Sequence, residues 1–118
     1  MRKIEYLVVH CSATKPSMDV PVSRVKQWHL DRGWSDIGYH YYIRRDGTLQ
    51  FGRKEETTGA HVKGYNHNSI GICYEGGLNE QGEAEDNRTE AQKLVLKTLL
   101  LSLKHRYPKS IIQGHKDF

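Results

Sequence analysis

Residues 4–10, Ile-Glu-Tyr-Leu-Val-Val-His, form a short and almost continuous apolar run rich in β-branched side chains. Such a run does not alternate a dry face with a wet one, so it predicts a central strand covered on both sides. That requirement confines the chain to layered architectures. Arg2 and Lys3 precede the run, but Glu5 and His10 interrupt it and no small-residue cleavage site follows. The segment therefore reads as a buried strand and not as a signal peptide.

The rest of the chain supplies the covering layers. Polar residues and prolines between 12 and 21 read as a loop, and Val22, Val25, Trp28 and His29 then recur at helical spacing before a stop at Gly33. Residues 39–44 are aromatic and β-branched, and Asp46-Gly47 is a hairpin turn leading into residues 48–51. Residues 55–69 are polar and rich in Gly, His and Asn, the composition of a long functional loop. Another strand is expected over 69–75. After an acidic connector, Thr89-Glu90-Ala91-Gln92 is a capping box that opens a helix with Leu94, Val95, Leu99 and Leu103 on its buried face. Pro108 ends that helix, and Ile111-Ile112 starts a last short strand running into Gly114-His115. The order βαββ(loop)βαβ predicts a single α/β domain over 1–118 with a central mixed β-sheet flanked by helices.

Composition removes several classes of function. A chain of 118 residues has room for one core, and 36% hydrophobic with 27% charged residues suits a globular fold and not disorder. Apolar stretches such as Leu99-Leu100-Leu101 are far too short to span a bilayer, so no membrane association is expected. Cys11 and Cys73 cannot make a disulfide framework, and such sparse usage suits a reducing compartment, with a single bridge left open. The formal charge of +4 is spread along the chain without a nucleic-acid motif, so no nucleic-acid partner is expected.

Seven histidines are an excess, and two of them stand where ligands gather. His10 ends the first strand and His115 follows the last, and the ends of strands line the crevice of an open α/β sheet. Two imidazoles converging there suit Zn²⁺. On spacing alone, a pair of hydrogen-bonded polar histidines is the competing reading.

A longer series of motifs carries a family likeness. In order they are His10-Cys11-Ser12-Ala13-Thr14-Lys15-Pro16, Gln27-Trp28-His29, Gly33-Trp34, Asp36-Ile37-Gly38-Tyr39-His40 and Arg45-Asp46-Gly47-Thr48. Gly52-Arg53, Gly59-Ala60-His61, Gly64-Tyr65-Asn66-His67-Asn68-Ser69-Ile70-Gly71 and Gly114-His115 follow. The series resembles the zinc N-acetylmuramoyl-L-alanine amidases of the phage-lysozyme type, relatives of the peptidoglycan recognition proteins. The resemblance implies zinc held by His10 and His115, and hydrolysis of the amide between the lactyl group of N-acetylmuramic acid and L-alanine in peptidoglycan. Zinc lowers the pKa of its water towards about 7 and polarises the scissile carbonyl. Tyr39 matches the family's active-site tyrosine, which orients the water or hydrogen-bonds the oxyanion; a core aromatic is its structural alternative. His61, Asn66, His67, Asn68 and Ser69 fall where the family builds its substrate groove, with loop capping as the competing role of each asparagine. By strand alternation His40 and Cys11 are expected to face away from the site. Trp28 and Trp34 are expected in the core and groove wall, and His29 and His105 at the surface or as caps.

One part of the pattern is incomplete. The family has a third zinc ligand, usually Cys or Asp, several residues past the second histidine, with a Lys or Thr near it. Here Lys116, Asp117 and Phe118 follow His115. The expectation is that the natural chain continues, and that the 118-residue form binds zinc weakly and hydrolyses poorly. Asp117, two residues on, more readily braces the turn than binds metal. Expected with this are a monomer made in the cytoplasm without a signal peptide, acting on the cell wall after release as an endolysin. The alternative is a non-catalytic peptidoglycan-binding domain.

Overall fold

The computed structural model describes residues 2–115. Along the chain run β1 (Tyr6–Cys11), α1 (Val22–Asp31), β2 (Tyr41–Ile43), β3 (Leu49–Phe51), β4 (Ser69–Tyr74), α2 (Glu90–Arg106) and β5 (Ile111–Gly114). This is the order expected from the sequence. The five strands form one sheet in the order β3-β2-β4-β1-β5, with β3 antiparallel to β2 and every other pair parallel.

The topology explains why both faces are covered. The β1–α1–β2 crossover steps over β4 in one direction, and β4–α2–β5 steps over β1 in the other. Right-handed crossovers in opposite directions put their helices on opposite faces of the sheet. Two cores result. On one face Leu7, Ile43, Ile70 and Ile72 meet Leu96, Leu99 and Leu103 of α2. On the other, Tyr42 and Cys73 meet Val25 of α1 together with Val20 and Ile37.

Helix α2 starts where its capping box predicts: Gln92 N–H donates to Thr89 Oγ1 at 3.1 Å, and Thr89 N–H donates to Gln92 Oε1 at 3.0 Å. The Gln92 amide is itself buried and donates to the carbonyls of Glu75 and Ile43, tying the helix to β4 and β2. Leu94 corrects the sequence expectation, being 66% exposed. It lies two residues from Leu96, about 200° around the helix, and so turns away from the sheet. Helix α1 has no side-chain cap; instead Gln50 of β3 accepts the Val22 N–H at 2.8 Å. Gly33, at φ +89°, follows its last turn in the left-handed conformation that ends helices.

The expected strand over 39–44 narrows to Tyr41–Ile43, which leaves Tyr39 outside the ladder. Beyond it, Glu75 is 2% exposed and collects the Val20 N–H, the Arg45 N–H and the Arg44 guanidinium. Among the described residues, no helix is long and apolar enough to cross a membrane.

Candidate active site

Register builds the site. Val9 of β1 pairs with Gly114 of β5, so the next residues, His10 and His115, stand side by side at the carboxyl ends of adjacent parallel strands. Their ring centroids are 4.8 Å apart. His10 lies on the α1 side of the sheet, in register with Cys73. Helix α1 covers Cys73 and Tyr42 but not the neighbouring row of β4 residues, Ser69 and Gly71. The 55–68 segment folds over that row, and there His61 enters the site.

His61 Nδ1 is 2.8 Å from His10 Nε2, and His61 Nε2 is 3.1 Å from Ser69 Oγ. Burial holds both imidazoles neutral: His10, also beside His115, is pushed down to about 3, and His61, beside His10, to about 2. Tyr39 closes the other side, its ring 5.1 Å from His10. Burial, and then the neighbouring Cys73, push its phenol above the ordinary tyrosine value, so it stays protonated and is a hydrogen-bond donor. These groups line a cleft of about 600 Å³ whose rim also includes Tyr74 and Arg88. Arg88 is paired to Asp86 through two bonds of 2.8 and 2.9 Å.

The remaining sequence candidates take varied places. Asn66 Oδ1 accepts the N–H groups of both His61 and Val62 at 2.9 Å, which fixes the backbone that presents His61. Asn68 is buried and donates to Glu5. His67 is exposed in the short 3₁₀ turn Asn66–Asn68. His40 lies beneath the loop and not in the cleft: its Nδ1 accepts the Gly71 N–H at 3.0 Å, which leaves Nε2 to donate to the Thr57 carbonyl at 2.7 Å. Cys11, expected to face away, has its sulfur against Gly77 but still borders the cleft. Trp28 packs on the second core, and the ring of Trp34 lies 4.5 Å from that of His29 at a 46° tilt. His29 corrects the expectation of a surface residue, because it is buried and accepts the Gly38 N–H at 2.8 Å. His105 is exposed. Lys116 and Asp117 lie outside the described residues.

Two features escaped sequence reasoning. The Arg2 guanidinium donates to the carbonyls of Glu55, Asn66 and Ser69, so the first residues of the chain pin the loop that carries His61. Nothing local announces such a long-range clamp. The slot around His61 did leave a signal in Gly71, a glycine inside a strand, which marks the close approach of another group.

A second cavity, of about 680 Å³, lies at the amino ends of the parallel strands. Its carboxylate, Glu55, is engaged by the Tyr41 and Tyr107 hydroxyls and by Arg106, so it presents an ion-pair network and not a set of converging free groups.

The chemistry of the donors fits zinc in kind, since neutral imidazole nitrogens at strand ends are its common ligands. Among the described residues there is no cluster of three or more His, Cys, Asp or Glu arranged to hold a metal.

Comparison with known proteins places this geometry. The family profile described as N-acetylmuramoyl-L-alanine amidase matches residues 1–118. The endolysin of Enterobacteria phage T3 is 50% identical over 113 residues, covering 96% of this chain and 75% of that protein. The solved structure of N-acetylmuramoyl-L-alanine amidase LysC from Clostridium intestinale URNW superposes with a TM-score of 0.86 at 34% identity, over 98% of this chain and 72% of that one. Drosophila PGRP-LB gives a TM-score of 0.81 at 25% identity, over 98% and 71% of the two chains.

Proposed function

For a chain that belongs to the N-acetylmuramoyl-L-alanine amidase family, we propose that the cleft between β1 and β5 is a zinc centre at which peptidoglycan is hydrolysed. The protein is a peptidoglycan amidase of the endolysin kind, acting on the cell wall after release. The bond cut is the amide between the lactyl group of N-acetylmuramic acid and L-alanine. The observation that carries the zinc reading is the juxtaposition of two imidazoles, His10 and His115, on neighbouring parallel strands.

When bound, zinc supplies Lewis acidity at the scissile carbonyl and an acidified water. His10 and His115 are the residues that would hold it. Catalytic zinc takes three protein ligands, so the reading requires one donor outside residues 2–115. Tyr39 keeps its proton and donates it in a hydrogen bond to the oxygen on which negative charge develops. His61 walls the cleft and the exposed His67 is available to peptide carbonyls, while Asn66 and Asn68 hold the segment in shape; Ser69, expected at the substrate, is instead fully buried against His61. Synthesis in the cytoplasm, a monomeric state and the lack of a nucleic-acid partner complete the reading.

The test is chemical. Purified muropeptides incubated with the protein and zinc should gain free L-alanine amino groups without new reducing ends. A chelator should stop the release, and His10→Ala should abolish it while leaving the far-UV circular dichroism intact. Release continuing at the wild-type rate in His10→Ala overturns the assignment. A second reading, a peptidoglycan-binding domain without turnover, is favoured by the two-donor set among the described residues. Muropeptide binding with no hydrolysis at saturating zinc would select it.

A further inference from the structure

We infer that His61 is a positioning residue that sets the tautomer of His10, and that it does so through a relay ending at Ser69. The inference rests on the reading of His10 as a metal ligand.

The imidazole of His61 lies in a slot made for it. A Cβ on Gly71 would come within 2.7 Å of two ring atoms, and a Cβ on Gly59 within 2.9 Å of Cδ2. Both flanking positions are glycines, so backbone approaches the ring where any other residue would displace it. One edge of the ring meets His10 Nε2 at 2.8 Å and the other meets Ser69 Oγ at 3.1 Å. The ring's backbone is fixed in turn by the two amide hydrogen bonds to Asn66. A side chain held at both edges and approached closely by backbone has no freedom to follow a substrate.

The direction of the hydrogen bonds follows from the metal. His10 Nε2 is occupied by His61, which leaves Nδ1 as the nitrogen that can take a metal. A lone pair on Nδ1 of a neutral imidazole requires the proton on Nε2. That proton is donated to His61 Nδ1, which must then be an acceptor, so the proton of His61 resides on Nε2 and is donated to Ser69 Oγ. Metal binding at His10 thus commits the protons of both rings, as when a metal-bound histidine donates its second N–H to an acceptor that fixes its orientation. The separation also argues against His61 as a ligand of the same ion. Two nitrogens on one tetrahedral zinc lie about 3.3 Å apart, whereas these lie at hydrogen-bond distance.

Two measurements on the full chain test this, the first without metal. Ring ¹⁵N spectra of the metal-free wild-type protein should show His10 as the Nε2–H tautomer. In His61→Phe the His10 signal should become a mixture, and in His61→Asn, whose amide oxygen can stand near the place of Nδ1, it should return to Nε2–H. Zinc affinity, measured by competition with a chromogenic chelator, should fall about 10- to 100-fold in His61→Phe and stay within about threefold of wild type in His61→Asn. An Nδ1–H tautomer for wild-type His10, or wild-type zinc affinity in His61→Phe, overturns the inference. A loss beyond about 10³-fold shared by the Phe and Asn variants also overturns it, by making His61 a ligand. Should His61→Phe not fold, the wild-type tautomer and the Asn variant decide the matter. Undiminished zinc binding by His10→Ala marks failure of the underlying metal-site reading, whatever the tautomer shows.

Discussion

Replacing Glu75 with alanine removes the acceptor of three groups at once. Its carboxylate takes the Val20 N–H at 2.8 Å, the Arg45 N–H at 3.2 Å and Arg44 Nε at 3.1 Å. Val20 is fully buried, so its amide finds no water in exchange. Each orphaned buried donor costs about 1–3 kcal/mol. Breaking a buried ion pair costs about 3–5 kcal/mol in all, and here the middle of that range applies, with most of the loss in the two orphaned amides and the smaller share in Arg44. The Arg44 side chain keeps 24% of its exposure and a second partner in Asp19. A loss of about 4 kcal/mol is therefore expected. For a chain this long the unfolding entropy is about 0.25 kcal/mol per kelvin, so Tm should fall by about 16 °C. Glu75→Gln keeps one oxygen and should lose about half as much. In a double-mutant cycle with Arg44→Met the coupling should be only about 1 kcal/mol, because the two backbone amides carry the larger share. Thermal and urea denaturation followed by circular dichroism supply all these values. A Glu75→Ala cost below about 1 kcal/mol would refute the reasoning.

Two further outcomes are expected. In a zinc-loaded protein Tyr39→Phe should lower kcat about 10²-fold, the scale of one oxyanion donor, with little change in the far-UV spectrum; unchanged turnover would remove Tyr39 from the chemistry. Acid should destabilise the metal-free fold earlier than its carboxylates alone would dictate. Burial holds His29 and His40 below the ordinary histidine value of 6.5, and each accepts a backbone N–H through Nδ1. The unfolded chain therefore binds protons below pH 6.5 that the folded chain refuses, and stability falls as pH drops from there towards the folded values. Glu55 acts lower down: burial opposes its charge, but Tyr41, Tyr107 and Arg106 together bring its pKa below 4.5. The urea midpoint should accordingly be lower at pH 5.5 than at pH 7.5, and an equal or higher midpoint at pH 5.5 would contradict this account.

How much of this was legible in the sequence depends on how local the cause was. The capping box at Thr89, the Asp46-Gly47 turn and the apolar first strand are written in neighbouring residues, and each element formed where those residues direct. The approach of His10 to His115 is set by the Val9–Gly114 register, which no spacing along the chain reveals. For that pair the family motifs, not the periodicity, gave the pointer. Leu94 was misjudged because a leucine-rich helix offers several candidate faces, and only the position of the sheet selects one. His29 was misjudged because its burial depends on Gly38, a partner brought in by the turn after the helix. The Arg2 clamp and the Glu75 network join segments distant in sequence, and their residues look like ordinary surface charges until the fold brings the acceptors to them.

The sheet order has a consequence for the protein's own synthesis. β1 leaves the ribosome well ahead of β5, one of its neighbours in the sheet, and the second imidazole follows β5. Translation at about 5–20 residues per second leaves the nascent chain for several seconds with an apolar strand lacking that neighbour and with His10 lacking His115. Whatever β4 and β2 assemble in the meantime, the two-imidazole pair cannot exist until the end of β5 has emerged. Until then the crevice holds His10 and His61 without His115, and a metal there lacks one of the two proposed ligands among the described residues.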